Sequence, residues 1–132
     1  MANKPKVFKA RWNEDGSAYV LARIEKKDTS YDLVPAQIAD VSSIFRRVFR
    51  TSDSELILGP TTITVATAVL DSLSTGSIWD ADSTGFNFFD TVPPTAFPDG
   101  DTEYRVEYKI TMADGFVSWI LVAGTSLPVI TS

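Results

Sequence analysis

The strongest constraint on the fold is a strictly alternating run near the end of the chain, residues 102–112. Every second side chain is hydrophobic, namely Tyr104, Val106, Tyr108, Ile110 and Met112. A period of two residues is typical of a β-strand with one buried face. Asp114-Gly115 follows, a dipeptide that favours a tight turn, and residues 116–124 return as the hydrophobic stretch FVSWILVAG. The sequence therefore predicts a β-hairpin whose return strand is hydrophobic enough to be covered on both faces.

The start of the chain predicts a second hairpin followed by a loop. Residues 7–12 and 17–25 are rich in β-forming side chains and flank a turn at residues 13–16. The next stretch, residues 25–32, is polar throughout and is expected to be a loop.

Two segments have hydrophobic spacings that need a choice between helix and strand. Residues 35–50 fit a helix that begins at its proline, or a strand with Ile44 and Val48 on one face and Phe45 and Phe49 on the other. A strand from about residue 43 is favoured. Residues 63–73 have hydrophobic side chains in helical register, which predicts one short helix.

A proline-rich segment separates a strand predicted at residues 85–92 from the closing hairpin. Pro93, Pro94 and Pro98 cannot donate backbone hydrogen bonds, and they hold the chain extended. We expect this segment to cross from one sheet to another. The architecture that fits is all-β, with one short helix: a single domain over residues 1–132, folded as an antiparallel β-sandwich of about seven strands.

The residue types that are missing limit the chemistry of the protein. The sequence has no histidine and no cysteine. Catalysis by Ser-His-Asp or Cys-His groups and zinc sites built from imidazole or thiolate are therefore excluded. A net charge of −5 argues against a nucleic-acid partner. No stretch has the hydrophobic length of a membrane span, and the first residues lack the pattern of a secretory signal.

Acidic turns are the first candidates for a binding or catalytic site. The stretch DADSTG, residues 80–85, begins like a calcium-binding loop, but Thr91 occupies the position of the final glutamate ligand. A core tryptophan, Trp79, followed by an ordinary acidic turn is the favoured interpretation. The pairs Asp80 with Asp82 and Asp99 with Asp101 lie on turns, whereas glycosidases set their two acids across a cleft. We therefore expect no metal site and no enzyme.

Arginines and tryptophans are the remaining candidates. Arg46, Arg47 and Arg50 lie among aromatic residues in the run FRRVFR, a composition that also occurs in strands that stack on single-stranded nucleic acid. One such patch in an acidic chain is better explained by ion pairs at an interface, or by arginine stems that cover hydrophobic surface. Three tryptophans, Trp12, Trp79 and Trp119, would suit a sugar-binding face, although core or interface positions are commoner.

The order of these segments resembles a family of phage proteins. ADVSSIFRRVF, a tryptophan-containing loop and GFNFFDTVPPTAFPDGDTEYRVEYKITMADG are similar to immunoglobulin-like accessory domains of tailed-bacteriophage particles, in the style of the amino-terminal domain of baseplate upper proteins. The matching positions are Ala39–Ser42 and, with a longer spacing to the first tyrosine, Pro98, Gly100, Tyr104, Val106 and Tyr108. The resemblance covers about residues 33–123. It implies an immunoglobulin-like β-sandwich with no catalytic residue and no cofactor.

The resemblance also implies a structural role in a virion, after synthesis in the host cytoplasm. A head decoration (cement) subunit is the first expectation, and a neck or tail component is the next. Expected partners are the major capsid protein or neck and tail subunits, in a homo-oligomer or symmetric array, without nucleic acid or membrane. Contacts are expected from extended ends, residues 1–6 and 125–132, and from Phe116, Ile120, Val122, Arg46 and Arg50. The alternative is an adhesin or carbohydrate-binding module.

Overall fold

Hydrophobic alternation along the chain produces antiparallel strands through most of the protein. The computed structural model describes residues 8–13, 16–76, 79 and 81–126. Its helical segments are one turn of α-helix, α1 (Val65–Ala68), and two 3₁₀ segments, Ile38–Asp40 and Pro94–Ala96. Its strands are β1 (Phe8–Trp12), β2 (Ala18–Ala22), β3 (Glu25–Lys27), β4 (Leu33–Pro35), β5 (Val41–Arg50), β6 (Glu55–Ile63), β7 (Val69–Ser74), β8 (Phe86–Val92), β9 (Glu103–Met112) and β10 (Val117–Thr125).

Eight of these strands form two four-stranded sheets. The first sheet has the strand order β1-β2-β8-β7, and the second has the order β10-β9-β5-β6. β3 and β4 form a small separate hairpin, and all the described pairings are antiparallel. The predicted all-β antiparallel sandwich is confirmed. The described residues hold ten strands rather than about seven, partly because β3 lies where a polar loop was predicted.

The hydrophobic core lies between the two four-stranded sheets. β2 and β8 supply its side chains from the first sheet, and β5, β9 and β10 supply them from the second. The rings of Phe88 and Tyr108 meet edge to face across the core, with their centroids 5.0 Å apart. The hydrophobic residues of β9, predicted to share one face, are all buried: Tyr104, Val106, Tyr108, Ile110 and Met112.

The two segments whose spacings fitted both helix and strand are mostly strand in the structure, with one short helix. β5 occupies most of residues 35–50, so the favoured strand is confirmed, and the helical alternative survives only as the 3₁₀ turn Ile38–Asp40. The predicted short helix is confirmed as α1, but the chain after it continues as β7 instead of extending the helix. Val69 explains the change, because it pairs with Phe88 of β8 and is buried in the core.

The proline-rich segment crosses from the first sheet to the second, as predicted. It leaves β8, forms the 3₁₀ turn Pro94–Ala96 and enters β9. Phe97 anchors it in the core, with its ring centroid 5.5 Å from that of Trp12 and 5.2 Å from that of Tyr104. The crossover therefore holds the start of β9 in a defined place.

The extended ends predicted as contact segments fall largely outside the described residues. Residues 1–6 and 127–132 belong to the part that is not described. Thr125 is the last residue of β10, and the Ser126 amide donates to the Thr102 carbonyl at 2.9 Å. The C-terminal stretch thus begins with residues that still belong to the sheet.

Candidate interaction surface

The outward surfaces of the two sheets differ in how they are covered. On the first sheet, Leu21 points away from the main core yet is completely buried. It packs with Trp79 and Phe86 in a second hydrophobic cluster, with Tyr19, Leu70 and Phe89 around it. The expectation of a core position for Trp79 is confirmed, although its cluster lies outside the main core. Trp79, in the segment before β8, therefore covers Leu21 on the outer surface of the first sheet.

The second sheet has an open outer surface, which we call the outer face. Strand alternation and pairing register place on it Phe45, Arg47, Phe49, Leu56, Pro60, Arg105, Glu107, Lys109, Trp119 and Leu121. Three of these large hydrophobic side chains are exposed, Phe45 by 39%, Leu56 by 44% and Leu121 by 38%. Among the described residues, no loop or helix covers them in the way that Trp79 covers Leu21.

A shallow depression of about 220 Å³ lies near the middle of the outer face. It is lined by Phe45, Arg47, Pro60, Glu107, Lys109 and Trp119. The Lys109 ammonium lies 6.0 Å from the centre of the Trp119 ring, at the limit of a cation–π contact. The depression thus combines two aromatic surfaces with charged groups of both signs.

The charged groups beside the depression are partly paired with one another. Arg105 Nε donates to Glu107 Oε2 at 2.5 Å, and the Arg105 guanidinium lies 5.0 Å from the centre of the Phe49 ring. The outer face therefore presents hydrophobic side chains beside charged groups, of which Arg105 and Glu107 are paired with each other.

Three of the predicted contact residues do not lie at the surface, and two of them belong to β10. Ile120 and Val122 are only 1% and 3% exposed, so the expectation that they form an exposed hydrophobic edge is wrong. They pair directly with Tyr108 and Val106 of β9, and directly opposed residues point to the same side of a sheet, here the core. The exposed side of β10 belongs instead to Trp119, Leu121 and Ala123. Phe116 is exposed at the hairpin turn, as predicted.

Arg46, also predicted at an interface, is buried between the sheets. Its Nη1 donates to Asp90 Oδ2 at 2.7 Å, and the Tyr108 hydroxyl donates to the same oxygen at 2.6 Å. Burial and the neighbouring Asp90 carboxylate raise the pKa of Tyr108 well above its ordinary value. The surface position expected for Arg46 is therefore wrong: the residue supplies the positive charge of a buried ion pair that joins the two sheets.

Arg50 lies at the surface, as predicted, within an acidic group. It contacts Asp53 at 3.0 Å and Asp99 at 3.2 Å, and it also pairs with Glu55. The hydrogen bond with Asp53 raises the pKa of Arg50 and lowers that of Asp53. These bonds hold the turn between β5 and β6 against the loop that carries Asp99, so Arg50 already has partners in the same chain.

The acidic turn before β8 is organised by hydrogen bonds around Asp82. One of its carboxylate oxygens accepts from the amides of Gly85 and Thr84 and from the Trp79 indole, at 3.0–3.1 Å, and the other accepts from Arg23 Nη1 at 2.7 Å. Its neighbour Asp80 lies outside the described residues. Asp82 therefore stabilises the turn, and within the described residues no group of three acidic side chains comes together to hold a metal ion.

Stability should depend on the ionisation of Asp82. The Gly85 amide, with help from Arg23, Trp79 and Thr84, holds the pKa of Asp82 at about 2, below its ordinary value of 3.8. Because the folded-state pKa is the lower one, this stabilisation is complete above about pH 4 and is lost as the pH falls towards about 2. Urea unfolding between these pH values should show a steeper loss of stability for the unmodified protein than for Asp82→Asn. Asp101→Asn, on another exposed turn, is the control and should keep the steep loss of stability. If the free energy of unfolding fell equally with pH in the unmodified protein and in Asp82→Asn, the role of the ionised Asp82 would be contradicted.

The tryptophans considered for a sugar-binding face do not share one surface. Trp79 is buried, and Trp12 packs against Phe97 and against Gly124, where an added Cβ would lie 2.4 Å from its ring. Of the three, Trp119 lies on the outer face. Its neighbours in the depression were not predicted from the sequence, although the alternation of β5 already placed Phe45 on the face opposite the core-facing residues. The register of the hairpin pairs Trp119 with Lys109 around a turn of three residues, Ala113 to Gly115. The length of that turn was the signal that would have added Lys109 and Trp119.

Comparison of the chain with protein-family models, with curated proteins and with solved structures finds no match. In the described part of the chain, none of the helical segments has the length and hydrophobicity needed to cross a membrane.

Proposed function

We propose that this protein is a non-enzymatic structural subunit of a tailed-phage particle, which attaches to another virion protein through the outer face. Head decoration is the first role proposed, and a neck or tail position is the second. The observation that carries the proposal is the difference between the two sheets. Trp79 packs over Leu21 on the outer surface of the first sheet, whereas the second keeps Phe45, Leu56 and Leu121 exposed. Uncovered hydrophobic patches with charged neighbours are typical of protein–protein contact sites.

The chemistry of the outer face suits a protein partner. Interfaces between proteins usually have a hydrophobic centre, often aromatic or arginine-rich, and a polar rim. Phe45 and Trp119 would supply that centre, and Arg105 with Glu107 would supply charges that stay paired after the surrounding water is removed. Burial of such a pair costs less than burial of a single charge without a partner.

Two features support the immunoglobulin-like part of the proposal. The strand orders β1-β2-β8-β7 and β10-β9-β5-β6 correspond to A-B-E-D and G-F-C-C′ of immunoglobulin-type sandwiches. Tyr104 lies at the start of β9, the equivalent of strand F, where such sandwiches carry a tyrosine that bonds to the backbone just upstream. Its hydroxyl accepts from the Asp99 amide at 3.0 Å and donates to the Asp99 carbonyl at 3.3 Å.

The test of attachment compares two phenylalanines of similar exposure on different sheets. Phe45→Glu places a charge at the centre of the outer face, and we expect it to weaken attachment to purified particles that lack the protein by about tenfold or more. Phe8→Glu is the matched control, since Phe8 is 46% exposed and Phe45 is 39% exposed. Co-sedimentation with the particles measures both affinities. Equal attachment of the two variants would contradict the proposed surface.

Quantitative mass spectrometry of the particles tests the role itself. Copy numbers comparable with the major capsid protein would support head decoration, and about a dozen copies or fewer would support the neck or tail, where ring symmetry limits the count. Absence from the particles would contradict the virion proposal. In that case, saturable quenching of tryptophan fluorescence by a soluble glycan, lost in Trp119→Phe, would support the carbohydrate-binding alternative at the same depression.

A further inference from the structure

β10 is the least protected of the four strands that lie at the edges of the two four-stranded sheets in the described structure. Open edges recruit additional strands, and proteins usually protect them with charges, proline or bulges. β1 carries Lys9 and Arg11, β7 carries Asp71 and pairs irregularly, and β6 contains Pro60 and register shifts. β10 has none of these features: its nine residues include no charge and no proline, and its register with β9 is unbroken.

The free edge of β10 presents the backbone groups of every second residue. At one end of the hairpin Met112 donates to the Phe116 carbonyl at 2.8 Å, and at the other Ser126 donates to the Thr102 carbonyl at 2.9 Å. Even-numbered residues therefore bond to β9, because bonded and non-bonded pairs alternate in antiparallel sheets. No described strand pairs with the opposite edge. The backbone groups that point to that edge belong to Val117, Trp119, Leu121, Ala123 and Thr125.

We infer that β10 pairs with β10 of a second copy of this chain, antiparallel and centred on Leu121. Leu121 then lies opposite the same residue of the second copy, Trp119 lies opposite Ala123, and Val117 lies opposite Thr125. In this register all the outward amides and carbonyls of one β10 meet those of the other, because the residues with outward-pointing groups oppose one another. The two second sheets become one continuous sheet around a twofold axis.

The side chains of β10 are self-complementary in this register. The large Trp119 ring faces the small Ala123 on both sides of the axis, and such cross-strand neighbours are the pairs that stabilise a sheet. Leu121, 38% exposed in one copy, meets its equivalent at the axis. The pairing therefore covers hydrophobic surface without placing two bulky aromatic rings against each other.

Charge does not oppose the pairing. Glu107 of β9 pairs with Leu121 of β10, which lies at the twofold axis. The strands β9 and β10 of each copy then lie side by side, so the two Glu107 residues are three strand spacings apart. This separation is about 14 Å, longer than the screening length of about 8 Å at physiological salt. A second copy of this chain thus fits the edge although each copy carries a net charge of −5.

The inferred pairing is independent of the attachment proposed above. The pairing uses the backbone edge of β10, where Trp119 and Leu121 also belong to the outer face, whereas the attachment test changes Phe45 in the middle of the sheet. A protein that dimerises and does not attach to a particle would contradict the proposed function alone. A protein that attaches as a monomer would contradict the dimer alone.

Cysteine cross-linking of the full chain tests the register, since the protein has no cysteine of its own. In Leu121→Cys the two Cα atoms would lie about 5.5 Å apart, within the range that a disulfide spans. Ala123→Cys is the matched control, because its two Cα atoms would lie about 14 Å apart, four residues along the strand. We expect oxidation to convert most of the first variant to a covalent dimer and to leave the second monomeric on a denaturing gel.

Sedimentation of uncross-linked protein over a range of concentrations tests the dimer itself. We expect reversible dimerisation, which Leu121→Lys should abolish by opposing two like charges at the axis. Leu56→Lys, the same change at an exposed leucine on the opposite edge strand, should dimerise normally. A monomer at all concentrations would overturn the inference and indicate that another segment of this chain or a different protein covers the edge. Cross-linking at residue 123 instead of 121 would overturn the register.

Discussion

Arg46→Ala is expected to lower the free energy of unfolding by about 3–5 kcal/mol, the usual cost of removing one partner from a buried ion pair. The Asp90 carboxylate would remain between the sheets with the Tyr108 hydroxyl as its described side-chain partner. The core would also lose the volume that the Arg46 side chain fills. The large effect follows from the charge left without its partner, since the net contribution of an intact buried pair is usually small.

Urea unfolding at neutral pH measures this loss, and two further variants identify its cause. Arg46→Met with Asp90→Leu removes both charges, so we expect the double variant to be more stable than Arg46→Ala. Arg50→Ala removes an arginine from an exposed acidic group, where solvent screens the ion pairs, so we expect it to cost much less stability than Arg46→Ala. A loss below about 1 kcal/mol for Arg46→Ala would show that the buried pair does not matter for stability.

Asn87→Leu is expected to lower the free energy of unfolding by about 3 kcal/mol or more, because it leaves the Ile24 amide and the Ala36 carbonyl without the Asn87 side chain as partner. The Ile24 carbonyl loses one of its two donors and keeps the Ala36 amide, at 2.9 Å. Asn87 is fully buried. Its Oδ1 accepts from the Ile24 amide at 2.7 Å, and its Nδ2 donates to the carbonyls of Ile24 and Ala36 at 2.9 and 2.8 Å. One side chain thus fixes the chain after β2 and the end of the β3–β4 hairpin to β8.

Asn13→Leu is the matched control for this prediction. It is the same chemical change in a turn, where Asn13 donates to the Ser17 hydroxyl at 3.1 Å. We expect it to cost about 1 kcal/mol, the usual contribution of a single hydrogen bond. Thermal and urea unfolding of both variants give the comparison. Equal losses for the two would mean that the three bonds of Asn87 do not hold β2, β8 and the small hairpin together.

Local patterns in the sequence predicted much of the fold. Three of these patterns are set by residues only a few positions apart in the chain. They are the alternation of residues 102–112, the turn at Asp114-Gly115 and the prolines before that strand. The hairpin and the crossover between sheets were therefore predicted correctly. The strand β3 was missed because Glu25–Lys27 carries only charged side chains. Lys26 Nζ donates to Asp40 at 2.6 Å, a long-range bond that no local pattern records.

The candidate surface was predicted less well, because hydrophobic residues occupy both faces of β5 and β10. In β10 the residues at 120 and 122 are as hydrophobic as those at 119 and 121, so composition does not show which pair is buried. Pairing with β9 decides it, and it buries the two residues that were expected at the surface. The two adjacent arginines of β5 are alike in sequence, yet Arg46 enters the core and Arg47 lines the depression.

By itself the sequence determined the class of fold, the closing hairpin, the crossover and the lack of histidine and cysteine chemistry. Each of these depends on residue type or on spacings of two to four residues, which one stretch of chain carries alone. The tertiary structure decided which face of each strand is buried, that Trp79 covers Leu21, and that Asp90 meets Arg46. These outcomes depend on contacts between residues far apart in the chain, and only the packing of one sheet on the other selects among them.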